Sequence, residues 1–89
     1  VDARADLFSF GCVLYFMVAG YSPFHGKSHA ETVHRILDTE PPPLCKAIPG
    51  TPPILSEIIH KLLAKNPDER FQSSQEVADV FRNLQTTLN

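Results

Sequence analysis

Cysteine is scarce in this chain, and its two copies exclude a disulfide framework: Cys12 lies inside an apolar run, Cys45 in a proline-rich segment, and they form no C-x-x-C pattern. The pair points to a reducing, cytoplasmic setting. Excess charge is missing too. A net charge of -2 offers no basic patch to nucleic acid or to an anionic membrane, so neither is expected as a partner. There is also no run long enough to cross a bilayer. The most apolar stretch, Leu7 to Ala19, has thirteen residues, short of the roughly twenty that a spanning helix needs. Asp2, Arg4 and Asp6 give that stretch a negative flank where a signal peptide needs a positive one. No membrane contact is expected from this segment. The glycines, Gly11, Gly20, Gly26 and Gly50, never approach a phosphate-cradling G-x-G-x-x-G or G-x-x-x-x-G-K-S/T. Nucleotide binding by this chain on its own is therefore not expected.

What is present fits one small globular unit: 89 residues, 43% hydrophobic and 20% charged, which leave no room for two domains. The first residue is Val1 and no basic leader precedes the apolar stretch, a beginning that reads as a cut within a longer sequence.

The spacing predicts four helices and no strand. The first runs from about Ala3 to Ala19, with Asp2 as N-cap and Gly20 as the stop. It is apolar all round, so three short amphipathic helices can cover only part of it and something outside the chain is expected to cover the rest. Gly20 to Gly26 reads as a loop in which Pro23 fixes the backbone and Phe24 anchors into the core. Ser28 and Glu31 match a capping box opening a helix from His29 to Asp38, with Val33, Ile36 and Leu37 on one face. Six of the eight prolines fall between Glu40 and Pro53, which predicts an extended connector without a regular element.

A third helix, about Pro53 to Ala64, sets Leu55, Ile58, Ile59, Leu62 and Leu63 in one stripe, with Glu57, His60 and Lys61 opposite. A turn from Asn66 to Phe71 breaks it. Ser73 and Glu76 form a second capping box for a last helix to about Leu88, which buries Val77, Val80, Phe81, Leu84 and Leu88.

The residues with chemical potential do not assemble into a catalytic set. His25, His29 and His34 lie near one another in sequence, with Cys45 further on. A five-residue step, however, puts His29 and His34 on different faces of a helix, whereas paired metal ligands sit three or four apart. No metal site is expected. Ser28 and Ser73 are occupied as caps, no G-x-S-x-G elbow is present, and Cys12 reads as a small packed hydrophobe.

Two segments carry more information: Asp2-Ala3-Arg4-Ala5-Asp6-Leu7-Phe8-Ser9-Phe10-Gly11-Cys12-Val13-Leu14-Tyr15, and Leu62-Leu63-Ala64-Lys65-Asn66-Pro67-Asp68-Glu69-Arg70-Phe71. The first resembles the D-x-(Y/F)-S-(L/F)-G-x-x-L-Y start of the central lobe helix of protein kinases. The second resembles the L-L-x-x-x-P-x-x-R-(F/Y) turn between the last two helices of that lobe. Between them, Ala19-Gly20-Tyr21-Ser22-Pro23-Phe24 is similar to the family's G-x-x-P-F loop. The likeness covers nearly the whole chain in the right order, and D-x-R-(S/A)-D-L-F-S-F-G is most like bacterial Ser/Thr kinases of the eukaryotic type.

The resemblance implies an all-α fold, the four-helix distal half of the kinase C-terminal lobe, itself a fragment of the α+β kinase-like fold. It implies that residues 1–89 are a partial kinase domain whose Gly-rich loop, H-R-D, D-F-G and A-P-E regions lie upstream. The full protein would move the ATP γ-phosphate to protein Ser or Thr hydroxyls, using ATP and Mg2+ that this segment does not bind. The implied partners are the upstream remainder of the kinase domain and a protein substrate. His34-Arg35-Ile36 and Ser9-Phe10-Gly11 are not H-R-D and D-F-G, since each lacks the aspartate.

Two roles carry over. Asp6 matches the helix carboxylate that accepts hydrogen bonds from the catalytic-loop backbone; from the residues alone it reads first as a complement to the helix dipole. Arg70 matches the arginine that pairs with the A-P-E glutamate; from the residues alone it could be a solvated arginine beside Asp68 and Glu69. Phe16 stands where many relatives have a carboxylate that helps receive a basic substrate side chain, so little preference for substrate arginine is expected through that contact. A stand-alone helical interaction module and a pseudokinase remnant are the alternatives.

Overall fold

A computed structural model describes residues 3–88 and, within them, the side chains of residues 4–86. It contains five α-helices and one 3-10 turn, with no strand among the described residues. These are α1 (Ala3–Ala19), α2 (His29–Asp38), α3 (Leu44–Ala47), α4 (Pro53–Leu62) and α5 (Ser74–Leu88), the 3-10 turn being Pro67–Glu69. The all-α class and the four expected helices are present. The expected N-cap Asp2 and the side chain of Leu88 lie outside the described residues.

The additional element, α3, falls where the prolines predict none. Their distribution explains it: Leu44-Cys45-Lys46-Ala47 contains no proline, and Pro43 sits just before it, where a missing N–H costs nothing. The Pro43 carbonyl accepts from Lys46 N at 3.0 Å and Ala47 N at 2.9 Å, closing a single turn.

The core is organised by the crossing of α1 and α4. One cluster joins Leu7 of α1 to Ile58 and Leu62 of α4, Phe71 and Val77. The other joins Tyr15 to Phe24, Leu44, Ile59 and Leu63. The α4 stripe thus divides into two i, i+4 pairs that meet one face of α1, one at Leu7 and the other a little over two turns further along at Tyr15. Gly11 lies between them, and a Cβ there would come within 2.8 Å of Leu62 Cβ. α1 ends at Gly20, whose N–H donates to Phe16 O at 2.8 Å while φ reaches +83°, a conformation cheap only for glycine.

Both serine caps form: Ser28 Oγ accepts from Glu31 N and Ser73 Oγ accepts from Glu76 N, each at 3.1 Å. The glutamates do not close the box on the cap residue itself. Glu31 accepts from Lys27 N at 3.2 Å and Glu76 from Gln72 N at 3.4 Å, one residue earlier in each case. Phe24 is buried as expected and stacks on Phe8 with ring centres 5.7 Å apart.

α2 packs less than its pattern predicts. Of the expected face only Ile36 reaches the core, while Val33 and Leu37 are exposed. The helix is held by its ends instead, by the Ser28 cap and by Lys65, whose ammonium donates to the carbonyls of Arg35 at 3.3 Å and Ile36 at 2.5 Å. α1 is only partly covered: Phe10, Val13, Phe16 and Met17 are exposed, Met17 to 73%. Among the described residues, no helix is long and apolar enough to cross a membrane.

Candidate functional site

The first turn of α1 meets the turn between α4 and α5, and this junction holds Arg70, one of the two residues singled out by sequence. Arg70 is half-buried. Its guanidinium donates to three carbonyls, Ala64 O at 2.6 Å, Arg4 O at 3.2 Å and Lys65 O at 3.3 Å, and lies 4.7 Å from the centre of the Phe8 ring. A solvated arginine in a polar turn is therefore not what the structure shows. The planar fork of donors suits this work, since one rigid group reaches carbonyls from two segments 60 or more residues apart in sequence. Arg4 adds a bridge to Asp68 at 2.6 Å across the same junction, but Asp68 is largely exposed and such a pair contributes little.

Arg70 also lines a groove of about 510 Å³ between α1, α2 and the α4–α5 turn. Phe8, Cys12, Ile36 and Leu37 supply its apolar walls, and Lys65 is the second cation in the lining. Burial pushes the Cys12 thiol above its ordinary value and the nearby positive charges of Lys65 and Arg70 pull it partly back. Cys12 is thus a poor nucleophile, in line with a packing role. Lys65 lies over the Phe24 ring at 4.3 Å, and burial lowers its proton affinity against the opposing pull of Glu40 and Asp38.

Asp6 occupies a different position. Its side chain is exposed in the first turn of α1, at a separate, almost wholly apolar groove of about 440 Å³ formed with Leu7, Phe10, Val77 and Phe81. The structure does not bring Asp6 and Arg70 into one site; they line separate grooves.

Phe16 lies in a third recess, of about 520 Å³, with Tyr21, Pro23, His25 and Arg35. No carboxylate among the described residues lines it. The Arg35 charge is engaged by Glu31 at 3.1 Å.

Two positioning residues were not foreseen from sequence. Lys65 ties α2 to the α4–α5 turn, through partners 29 and 30 residues away. His60, expected on the solvent face of α4, is half-buried instead: its Nε2 accepts from Leu44 N at 3.1 Å and its ring meets Tyr15 edge-on at 6.0 Å. The correction has a simple cause, because α3 occupies space that the proline pattern left empty. No periodicity could reveal either contact. His34 pairs with Asp38 at 3.1 Å, and no three His, Cys, Asp or Glu side chains among the described residues converge on a point that could hold a metal.

Nearly all of this helical unit, with an arginine clamped between its first helix and its last turn, aligns with one part of serine/threonine-protein kinases. Over 83 residues, 92% of the chain, it is 40% identical to serine/threonine-protein kinase PknB of Mycolicibacterium smegmatis. It is 39% identical over the same length to PknB of Mycobacterium leprae. It is also 38% identical over 74 residues to a protein of Dictyostelium discoideum named hybrid signal transduction histidine kinase G. The chain spans only 13% of the length of the two mycobacterial kinases and 2% of the Dictyostelium protein. No family model matches the chain.

Proposed function

We propose that this chain is the distal helical part of a Ser/Thr protein kinase catalytic lobe, and that the protein containing it transfers the ATP γ-phosphate to protein Ser or Thr hydroxyls. The observation that carries this reading is the 40% identity over 92% of the chain to a serine/threonine-protein kinase. The residues here do not fit ATP or Mg2+ themselves. There is no cluster of metal ligands among the described residues, and Gly11, buried against Leu62 and Leu63 inside a helix, cannot cradle a phosphate. Nucleotide and metal would be held by other parts of the whole protein, and no step of the transfer is assigned to this chain.

Its own residues serve as scaffold and substrate-side surface. Asp6, exposed and at the start of the central helix, is available to accept N–H groups of a catalytic loop packed on α1. Arg70 and Lys65 give the groove beside α1 two cations, which suits a segment carrying a carboxylate, such as the A-P-E glutamate. The bare face formed by Phe10, Val13, Phe16 and Met17 is too apolar to be left in water and would be covered by the remainder of the lobe. The same bare face favours a second reading, a stand-alone module that docks on another protein.

Phosphoryl transfer separates the two. The intact protein is expected to label a generic Ser/Thr substrate from ATP, and the 89-residue chain alone is expected not to. An intact protein with no transferase activity would support the docking module or a pseudokinase, and transfer by the chain alone would refute the scaffold role. On a peptide array the active protein should show little selection for arginine near the acceptor; strong arginine selection abolished by changing Phe16 would show that reading of the recess to be wrong.

A further inference from the structure

The proline-rich connector between α2 and α4 is held by an unusual cap. A single helical turn such as α3 does not persist alone, since nucleation costs more than its few hydrogen bonds return. The residue before it, Pro43, has no side-chain acceptor for the first N–H groups. The acceptors come from α4 instead: His60 Nε2 takes the Leu44 N–H at 3.1 Å and Ser56 Oγ takes the Cys45 N–H at 3.3 Å. Ser56 and His60 are four residues apart, on one face of α4. Leu44 is fully buried below this contact, so the cap and the core hold the connector together.

We infer that His60 is an acid-sensitive latch on this connector: neutral, it fastens α3 to α4, and protonated, it releases the segment from about Glu40 to Pro52. An acceptor at Nε2 requires the neutral ring with its proton on Nδ1. Protonation places an N–H at Nε2, facing the Leu44 N–H, and sets a positive charge at the positive end of α3.

The surroundings supply a second state. Glu40, in the connector, lines the same cleft of about 450 Å³ and attracts the imidazolium; Cys45 of α3 and Glu57 of α4 also line it, and from α1 the Tyr15 ring meets His60 edge-on. Burial holds the His60 proton affinity below its ordinary value of 6.5, with Glu40 acting in the other direction. A depressed folded value means the unfolded or released state binds the proton more readily. The latch is therefore fully closed above about 6.5 and weakens as pH falls below it toward the folded value.

The test is hydrogen–deuterium exchange of the intact protein at pH 7.5 and 5.5, with rates corrected for intrinsic pH dependence, read at Leu44 and Cys45. Wild type should lose about tenfold protection at the lower pH, the equivalent of one buried hydrogen bond given up. His60→Gln keeps an acceptor that does not titrate, and should show protection that is independent of pH. Equal protection at both pH values in wild type, or the same acid-dependent loss in His60→Gln, would overturn the latch.

Discussion

Replacing Arg70 with alanine should lower the stability of the folded unit by roughly 3 kcal/mol, measured as the shift in denaturant midpoint at constant slope. Three carbonyls, of Ala64, Lys65 and Arg4, lose their charged donor at once, and Phe8 loses the guanidinium stacked on it. Each bond to a charged group contributes about 1.5 to 3 kcal/mol, but the three share one side chain and do not add, so the total stays near the single-group range. The neighbouring Arg4–Asp68 bridge cannot compensate, because a pair this exposed at Asp68 is worth no more than about 1 kcal/mol. Arg70→Lys should recover less than half of the loss, since a point charge on a flexible stem cannot reach carbonyls from two segments as a planar fork does. Equal stability of the alanine and wild-type proteins would show that the clamp contributes nothing.

Gly11→Val should be comparably damaging, at roughly 3 kcal/mol, the upper end of the usual range for overpacking a core. The first added carbon would stand 2.8 Å from Leu62 Cβ and 3.1 Å from a Leu63 methyl. The Leu62 Cβ cannot swing aside as a side-chain tip can, so α1 and α4 must separate and both core clusters loosen. Gly11→Ala should cost less, about 1 to 2 kcal/mol, because better helix propensity returns up to about 1 kcal/mol of the clash. A thermal or chemical unfolding series of Gly, Ala and Val reads this order directly; Val as stable as Gly would mean that the helices do not cross here as described.

These two positions show what the sequence could and could not convey. Gly11 was legible as part of a kinase-like motif, but its use, a close approach to Leu62 more than fifty residues later in the chain, depends on a crossing that no local pattern encodes. Most of the α4 stripe was legible, because Ile58, Ile59, Leu62 and Leu63 repeat at helical spacing and all four are buried, with Leu55 partly buried beside them. The same rule failed on α2, where Val33 and Leu37 share the spacing yet remain exposed. Periodicity identifies an apolar face but not whether another element is present to cover it. The proline rule failed in the reverse sense at α3, where the five residues free of proline between Pro43 and Pro49 were enough for a turn held from α4. Asp6 and Arg70 were located by motif alone. The carbonyl clamp around Arg70 comes from the tertiary arrangement of Arg4, Ala64 and Lys65, and only the structure could supply it.

Asp6→Asn in the intact protein tests the central claim most directly, through steady-state phosphoryl transfer alongside a thermal melt. If Asp6 positions the catalytic loop, kcat should fall about 10- to 100-fold, the usual effect of slight misplacement of a reacting group, with KM for ATP nearly unchanged. Tm should move by no more than about 2 °C, since the helix-dipole contribution of an exposed carboxylate is only some tenths of a kcal/mol. A kcat equal to wild type, with or without a change in Tm, would contradict the assignment of this helix as the support of a kinase active site.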